Sequence, residues 1–501
     1  MKRLTLLWSS SLCCAALLAG CASQPAADTS VAPSPAAHAP ASAPEVLRED
    51  ERLAHYRLPN GLEVIVKPDR RAPTAIHMLW VRAGAIDEVD GTSGIAHMLE
   101  HMMFKGTEKL APGEFSRRVA ELGGQDNAFT SRDYTGYYQQ VPASRLEDVM
   151  ALEADRFQHN RWPDEEFLRE VEVVKEERRM RTDDQPRAKL YEQLMAVTYL
   201  ASQERRPIIG WMDDIEHFTA DDVRAFYHRW YVPANAAVVV VGNVEPRAVL
   251  ALAERYYGPA AAAPLPTRKP TAEPPQQGPR RLVLRDRAEQ PVLLMAFKVP
   301  PLANIEQPSE ADREALALTA LSAVLSGYDG ARLDRALTRG AGRIADSADS
   351  SAGLSGRSGN GLFVLSGIPA AGRSNQELEA GLRQAVAEIA AHGISAQELQ
   401  RVVTQWSAIT VYGQDSMYAQ ASELGSNWVQ GWPLDATDRL LALLREVTPG
   451  QVQAVAQKYF GDDALTVAEL LPQAAPVAAT GTNRPAPTAR PVQPAAGGSQ
   501  Q

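Results

Sequence analysis

Apolar and polar positions first alternate in a regular way near Leu53. Tyr56 to Leu58 and Leu62 to Val66 flank Pro59-Asn60-Gly61, and Asn-Gly between apolar alternations predicts a hairpin. Ala75 to Val81 reads as a third strand. The period then lengthens: Ile95, Met98, Leu99 and Met102 share one face of a helix that starts near Thr92 or Ser93, either of which can cap it. A second helix runs from Pro112 to Leu122 and ends at Gly123-Gly124. Gln125 to Val141 predicts two short strands around Ser131-Arg132-Asp133. Helices follow at Ala143 to His159, Asp164 to Arg181 and Arg187 to Leu200, then at Thr219 to Trp230 with Thr219 as cap. The valine run Val238 to Gly242 reads as a buried strand, and Pro246 to Tyr257 as a helix.

Periodicity stops from Gly258 to about Arg280, in a stretch dense in Pro and Ala that reads as a linker over 259–280. It separates a first domain, 47–258, from a second, 281–472. The second half echoes the first. Phe218-Thr219-Ala220-Asp221-Asp222-Val223 matches Val447-Thr448-Pro449-Gly450-Gln451-Val452, and each is followed at the same offset by an aromatic pair, Trp230-Tyr231 and Tyr459-Phe460. Glu166-Phe167-Leu168 and Glu398-Leu399-Gln400 lie at nearly the same displacement of about 230 residues. Two tandem domains of one fold is the economical reading.

Composition adds the chain's surroundings. The 501 residues are 45% hydrophobic and 22% charged, ordinary for a globular protein, and the net charge of −10 argues against a nucleic-acid partner. No internal apolar run is long enough to span a bilayer. Met1-Lys2-Arg3, an apolar stretch to Leu18, and Leu18-Ala19-Gly20-Cys21 resemble a bacterial lipoprotein signal over 1–20, with Cys21 lipidated after cleavage. All three cysteines lie in or beside this signal, so no disulfide is expected. Residues 21–46 and 473–501, rich in Ala, Pro and Ser, read as a disordered tether and tail. The expected location is the cell envelope, on the periplasmic face of the outer membrane.

The chemistry concentrates at His97-Met98-Leu99-Glu100-His101. Helical positions i and i+4 lie one turn apart on one face, so two imidazoles can meet at one point with a carboxylate on the rim. Imidazoles are zinc ligands, and H-x-x-E-H inverts the better-known H-E-x-x-H zinc-protease order. A third ligand must come from another element. The helix from Asp164 is acidic, a pattern that usually marks a solvated face. Glu170 and Glu177 are nonetheless two turns apart and nearly eclipsed, beside an apolar face of Phe167, Val171 and Val174. This geometry does not choose between Glu176 and Glu177. His55, His77, His159, His217 and His228 have no such pattern and read as structural or solvent-exposed.

The chain resembles the pitrilysin/insulinase-type zinc metallopeptidases, in the bacterial branch similar to mitochondrial processing peptidase. The resemblance is carried by Gly94-Ile95-Ala96-His97-Met98-Leu99-Glu100-His101-Met102-Met103-Phe104-Lys105-Gly106-Thr107. It continues through Gly123-Gly124-Gln125-Asp126-Asn127-Ala128-Phe129-Thr130-Ser131-Arg132-Asp133-Tyr134-Thr135, Glu170-Val171-Glu172-Val173-Val174-Lys175-Glu176-Glu177, and Trp230-Tyr231. It implies an α+β fold of two homologous domains, each an antiparallel sheet covered by helices on one face. It implies one Zn²⁺ per chain on His97, His101 and Glu177, with Glu100 as general base and Glu170 supporting the site. The second domain, whose matching helix near Asp312 to Leu325 has no His, carries no metal. Asn127 and Ala128 would bind substrate on an edge strand, with Arg357 as a candidate from the second half. The implied function is endopeptidase action on peptides or unfolded segments; the alternative is a catalytically idle assembly subunit. The family's chamber of four such domains implies a homodimer or a heterodimer with a related chain.

Overall fold

The computed structural model describes residues 43–473. Cys21, its signal, the tether to residue 42 and the tail beyond 473 lie outside them. Among the described residues twelve strands form two sheets. β1 (Glu45–Glu49), β2 (Ala54–Arg57), β3 (Glu63–Pro68), β4 (Thr74–Val81), β5 (Gln125–Thr130), β6 (Thr135–Pro142) and β7 (Ala236–Gly242) make the first, in the order β1-β2-β3-β7-β4-β6-β5. β8 (Arg280–Asp286), β9 (Val292–Val299), β10 (Ala345–Gly353), β11 (Gly361–Pro369) and β12 (Leu465–Pro472) make the second, in the order β10-β11-β9-β12-β8. Reading β3, β7, β4, β6, β5 against β8, β12, β9, β11, β10 gives the same path twice. The internal repeat is thus a repeat of topology. Each sheet is antiparallel except for one parallel pair, β3 with β7 and β8 with β12.

Local signals explain several element ends. Gly61 takes φ +93° in the β2–β3 turn, where Asn60 accepts the Leu62 N–H at 3.1 Å. Thr219 and Thr448 each cap a helix, Ala220–Trp230 and Pro449–Tyr459, through matching capping boxes. Two expectations change. The chain enters the fold earlier than Leu53, because β1 pairs with β2; its residues are almost all exposed, so no apolar alternation marks it. The stretch 259–279 has no regular structure but is tied down. Glu273 accepts the N–H groups of Leu200, Ala201 and Ser202 and pairs with Lys298 at 2.6 Å.

Alternation along the strands sends side chains to two faces. In the first sheet Leu79, Val81, Val238 and Val240 join the core under that sheet's own helices. Ile76, Met78, Trp80, Val239 and Val241 point the other way and meet Ala421, Leu424 and Trp428 of the helix Met417–Gln430 in the second half. The second sheet does the reverse. Met295, Phe297 and Val467 face their own helices. Val292, Ala296, Ala468 and Leu470 meet Leu190, Leu194 and Met195 of the helix Pro186–Thr198 in the first half. Each half therefore lends one helix to the far face of the other's sheet. This is why β7 is buried along its whole length.

A Cβ added at Gly425 would fall inside the Trp80 indole on β4. Gly425→Val should lower the urea midpoint by an amount equivalent to about 1–3 kcal/mol or more, overpacking outweighing the gain from removing a helical glycine. An unchanged or raised midpoint would refute this close packing of the exchanged helix.

Candidate metal centre

His97 and His101 sit on the helix Ile95–Met102, whose other face packs Ile95, Met98, Leu99 and Met102 into the first core. The expected Thr92 or Ser93 cap is replaced by Gly94, at φ +87°, with no side-chain cap of its own. Glu88 does the capping from the preceding loop. Its carboxylate accepts the Gly94 N–H at 2.9 Å and the Ala96 N–H at 3.0 Å. Ser93 instead donates its hydroxyl to Asp214. Gly94 is required on two counts, its positive φ and its close approach to the backbone of Ile209 and Gly210.

The acidic helix Asp164–Arg178 packs against the helix of the two histidines and presents one of the two glutamates to them. Glu177 turns inward: its Oε1 lies 3.7 Å from His97 Nε2 and its Oε2 3.3 Å from His101 Nε2. Glu176 is 63% exposed and pairs with Arg179. One ligand atom from each of His97, His101 and Glu177 falls within 4.8 Å of the other two. Ligands about 2.1 Å from a tetrahedral zinc are separated by about 3.4 Å, so the donor types and spacing fit that ion. His97 Nδ1 is buried without a partner among the described residues, while Nε2 is the ring nitrogen that faces Glu177.

Glu170 grips the other side of His101, accepting from Nδ1 at 2.9 Å, and is itself held by Lys105 at 2.5 Å. Glu100 accepts the Thr130 hydroxyl at 2.5 Å. Arg178 fastens the end of the acidic helix to Glu192 at 2.9 Å and to the Gly210 carbonyl at 2.6 Å. Thr130, Lys105, Arg178 and Glu88 were not singled out from sequence. Only Lys105, one further turn along from His101, lies at a local helical spacing that could have drawn attention.

Burial, together with the neighbouring His101, pushes His97 down to about 4. Burial also opposes charge on His101, but Glu170 and Glu177 outweigh it and raise that imidazole to about 9. Burial raises the Glu100 carboxyl, against the Thr130 hydrogen bond. The hydrogen bond from His101 holds Glu177 below its ordinary value.

These groups line a cleft of about 830 Å³ together with Asn127, Ala128 and Thr130 of β5 and Tyr191 of the exchanged helix. Among the described residues β5 ends the sheet and pairs only with β6, which leaves its outer edge free of them. Arg357 is not brought to this cleft. Its guanidinium pairs with the buried Asp87 at 3.3 Å and its N–H bonds Asp133 at 3.1 Å, fastening the second half to the first.

A family model described as Insulinase (Peptidase family M16) matches residues 63–211, and one described as Peptidase M16 inactive domain matches 217–406. The second match begins before β7, a strand of the first sheet. Zinc protease PqqE of Helicobacter pylori is 35% identical over 275 residues, 54% of this chain and 60% of that protein, less than two thirds of its length. YmxG of Bacillus subtilis, described as an uncharacterized zinc protease, is 26% identical over 417 residues, 82% of this chain and 96% of that one. The crystal structure of a protease from Helicobacter pylori matches with a TM-score of 0.78 at 28% identity, covering 84% of this chain and 100% of the other. With both family models matched in tandem along a twice-repeated fold, this chain belongs to the pitrilysin/insulinase-type (M16) peptidase family.

Proposed function

We propose that the chain is a zinc-dependent endopeptidase that cleaves peptides or unfolded segments in the cell envelope. The observation that carries this reading is the convergence of His97, His101 and Glu177 within 4.8 Å, with Glu100 lining the same cleft. All four are present, whereas an idle subunit has no need to keep them. One zinc ion held by the three ligands would supply a Lewis acid that acidifies water and offsets charge on a peptide carbonyl oxygen.

Glu100 takes the proton of the attacking water and passes it to the leaving amine. Its burial favours the protonated intermediate state of the carboxyl. Thr130 holds Oε2, which leaves Oε1 for proton transfer. Glu170, by accepting from Nδ1, aims Nε2 of His101 at the centre. Asn127 and Ala128 take the substrate as an added strand on the free edge of β5, which selects extended over folded chains. A second copy, or a related chain lacking the motif, would close the cleft into a four-domain chamber. The Leu18-Ala19-Gly20-Cys21 motif supports lipid anchoring through Cys21.

Glu100→Gln should retain about one zinc per chain by metal analysis while kcat falls about 10²–10⁴-fold or more. Near-wild-type turnover of this variant in a peptide assay would remove Glu100 as the base.

Glu177→Gln should purify largely free of zinc, and Glu176→Gln should keep it, as elemental analysis will show. A zinc-free Glu176→Gln with a loaded Glu177→Gln would reverse the assignment.

Zinc needs neutral imidazoles, yet His101 is raised to about 9 in the metal-free chain. Between its unperturbed value of about 6.5 and 9, the folded apo chain holds a proton that metal must displace. Affinity should therefore rise about tenfold per pH unit across that window, with about one proton released per zinc at neutral pH. Calorimetry in buffers of different ionisation enthalpy measures this, and a pH-independent affinity with no proton release would contradict it.

A further inference from the structure

Arg132 sits in the turn between β5 and β6, two residues beyond the Thr130 that holds Glu100. The turn is rigid at its backbone. Ser131 N–H donates to the Tyr134 carbonyl at 2.8 Å, and the Ser131 and Arg132 carbonyls accept from Ala85 and Ile86 at 3.1 and 3.0 Å. The next residue, Asp133, is committed to Arg357 of the second half. The Arg132 side chain has no such tie. It lines the cleft, part-buried, and its Nε is buried with no hydrogen-bond partner.

The other cations around the cleft are matched. Lys105 pairs with Glu170 at 2.5 Å, Arg181 with Glu177 at 2.7 Å and Arg206 with Asp90 at 2.9 Å. Glu192 pairs with Arg178 at 2.9 Å. Among the described residues, this leaves Arg132 as the cation of the cleft without a carboxylate. A partly desolvated guanidinium regains its lost hydration only from an acceptor, and its planar fork fits a carboxylate in bidentate fashion. A strand rises about 3.3 Å per residue, so a peptide lying along β5 past Thr130 reaches the turn within about two residues.

Resting on the peptidase reading above, we infer that Arg132 is a specificity residue that binds a carboxylate of the substrate close to the cleaved bond. Two sources offer the same chemistry: an Asp or Glu side chain, or the C-terminal carboxylate of the peptide.

The test uses the zinc-loaded full chain and one scaffold peptide. Gln is replaced by Glu one position at a time around the cleaved bond, and each peptide is made with a free or an amidated C-terminus. The wild type should show kcat/KM about tenfold higher or more for Glu at one position, or for the free acid over the amide. The first outcome assigns a side chain and the second a chain end. In Arg132→Gln the ratio should fall to about one, and Arg132→Lys should restore part of it. The same ratios should appear in binding, by fluorescence anisotropy of labelled peptides on Glu100→Gln against Glu100→Gln/Arg132→Gln. Equal handling of charged and neutral peptides by the wild type, or a ratio unmoved by Arg132→Gln, would overturn the inference. If the wild type cleaves no peptide, the peptidase reading fails, and the anisotropy ratio still decides for or against Arg132.

Discussion

Both sheets present apolar side chains on both faces, and neither half covers its own second face. That shared need is met by exchange: Met417–Gln430 lies on the first sheet and Pro186–Thr198 on the second. Burial of a large aliphatic side chain stabilises by about 1.5–3 kcal/mol, so each exchanged helix, carrying several, binds the halves into one unit. The pseudo-symmetry of the repeat makes this reciprocal, because the two helices occupy equivalent places in the two copies. A sheet so covered can carry an uninterrupted valine run at its centre without exposing it.

The candidate metal centre inherits its rigidity from that exchange. The acidic helix that supplies Glu177 continues through a turn into Pro186–Thr198, the helix pressed against the second sheet. Arg178 ties the two together through Glu192 and reaches the Gly210 carbonyl, next to the start of the ligand helix. The second half thus takes part in holding Glu177 without lending a side chain to the candidate site. Behind the ligand helix lies a second constraint. His77, Gln139, Glu153 and Arg156 form a buried chain of hydrogen bonds, with links of 2.8, 2.7 and 2.6 Å. Arg156 is fully buried and stacks on Phe104 and Phe115 at 4.6 and 3.8 Å. Glu153 and Arg156 offset each other's buried charge, although Arg156 Nη1 has no hydrogen-bond partner among the described residues, and the guanidinium packs on Phe104 beside Lys105 and the cleft.

Function draws on a division between satisfied and unsatisfied groups. Around the cleft most charges are matched within the chain, which preorganises Glu100, His101 and Glu177. What stays unmatched faces the place where a substrate would lie: the free edge of β5 and the guanidinium of Arg132. A site of this kind spends little reorganisation on its own residues and keeps its open valences for a ligand.

The sequence by itself determined what depends on neighbours in the chain. The His97–His101 pair follows from helical spacing, the β2–β3 hairpin from Asn60-Gly61, and the helix starts at Thr219 and Thr448 from capping boxes. The repeat was legible because the same local signals recur at a nearly constant displacement. Residue pattern left Glu176 and Glu177 open, and the crossing of two packed helices turned one inward and the other to solvent. Arg357, read as a substrate contact, is spent on Asp87 and Asp133. Glu88 as the cap of the ligand helix, Thr130 on Glu100 and the exchange of helices were illegible for a common reason. An apolar stripe or a charged side chain declares that it must be buried or paired, but its partner is chosen by the packing of segments distant in sequence. That choice belongs to the tertiary structure alone, because contact energies depend on distance in space and sequence order constrains only the nearest of them.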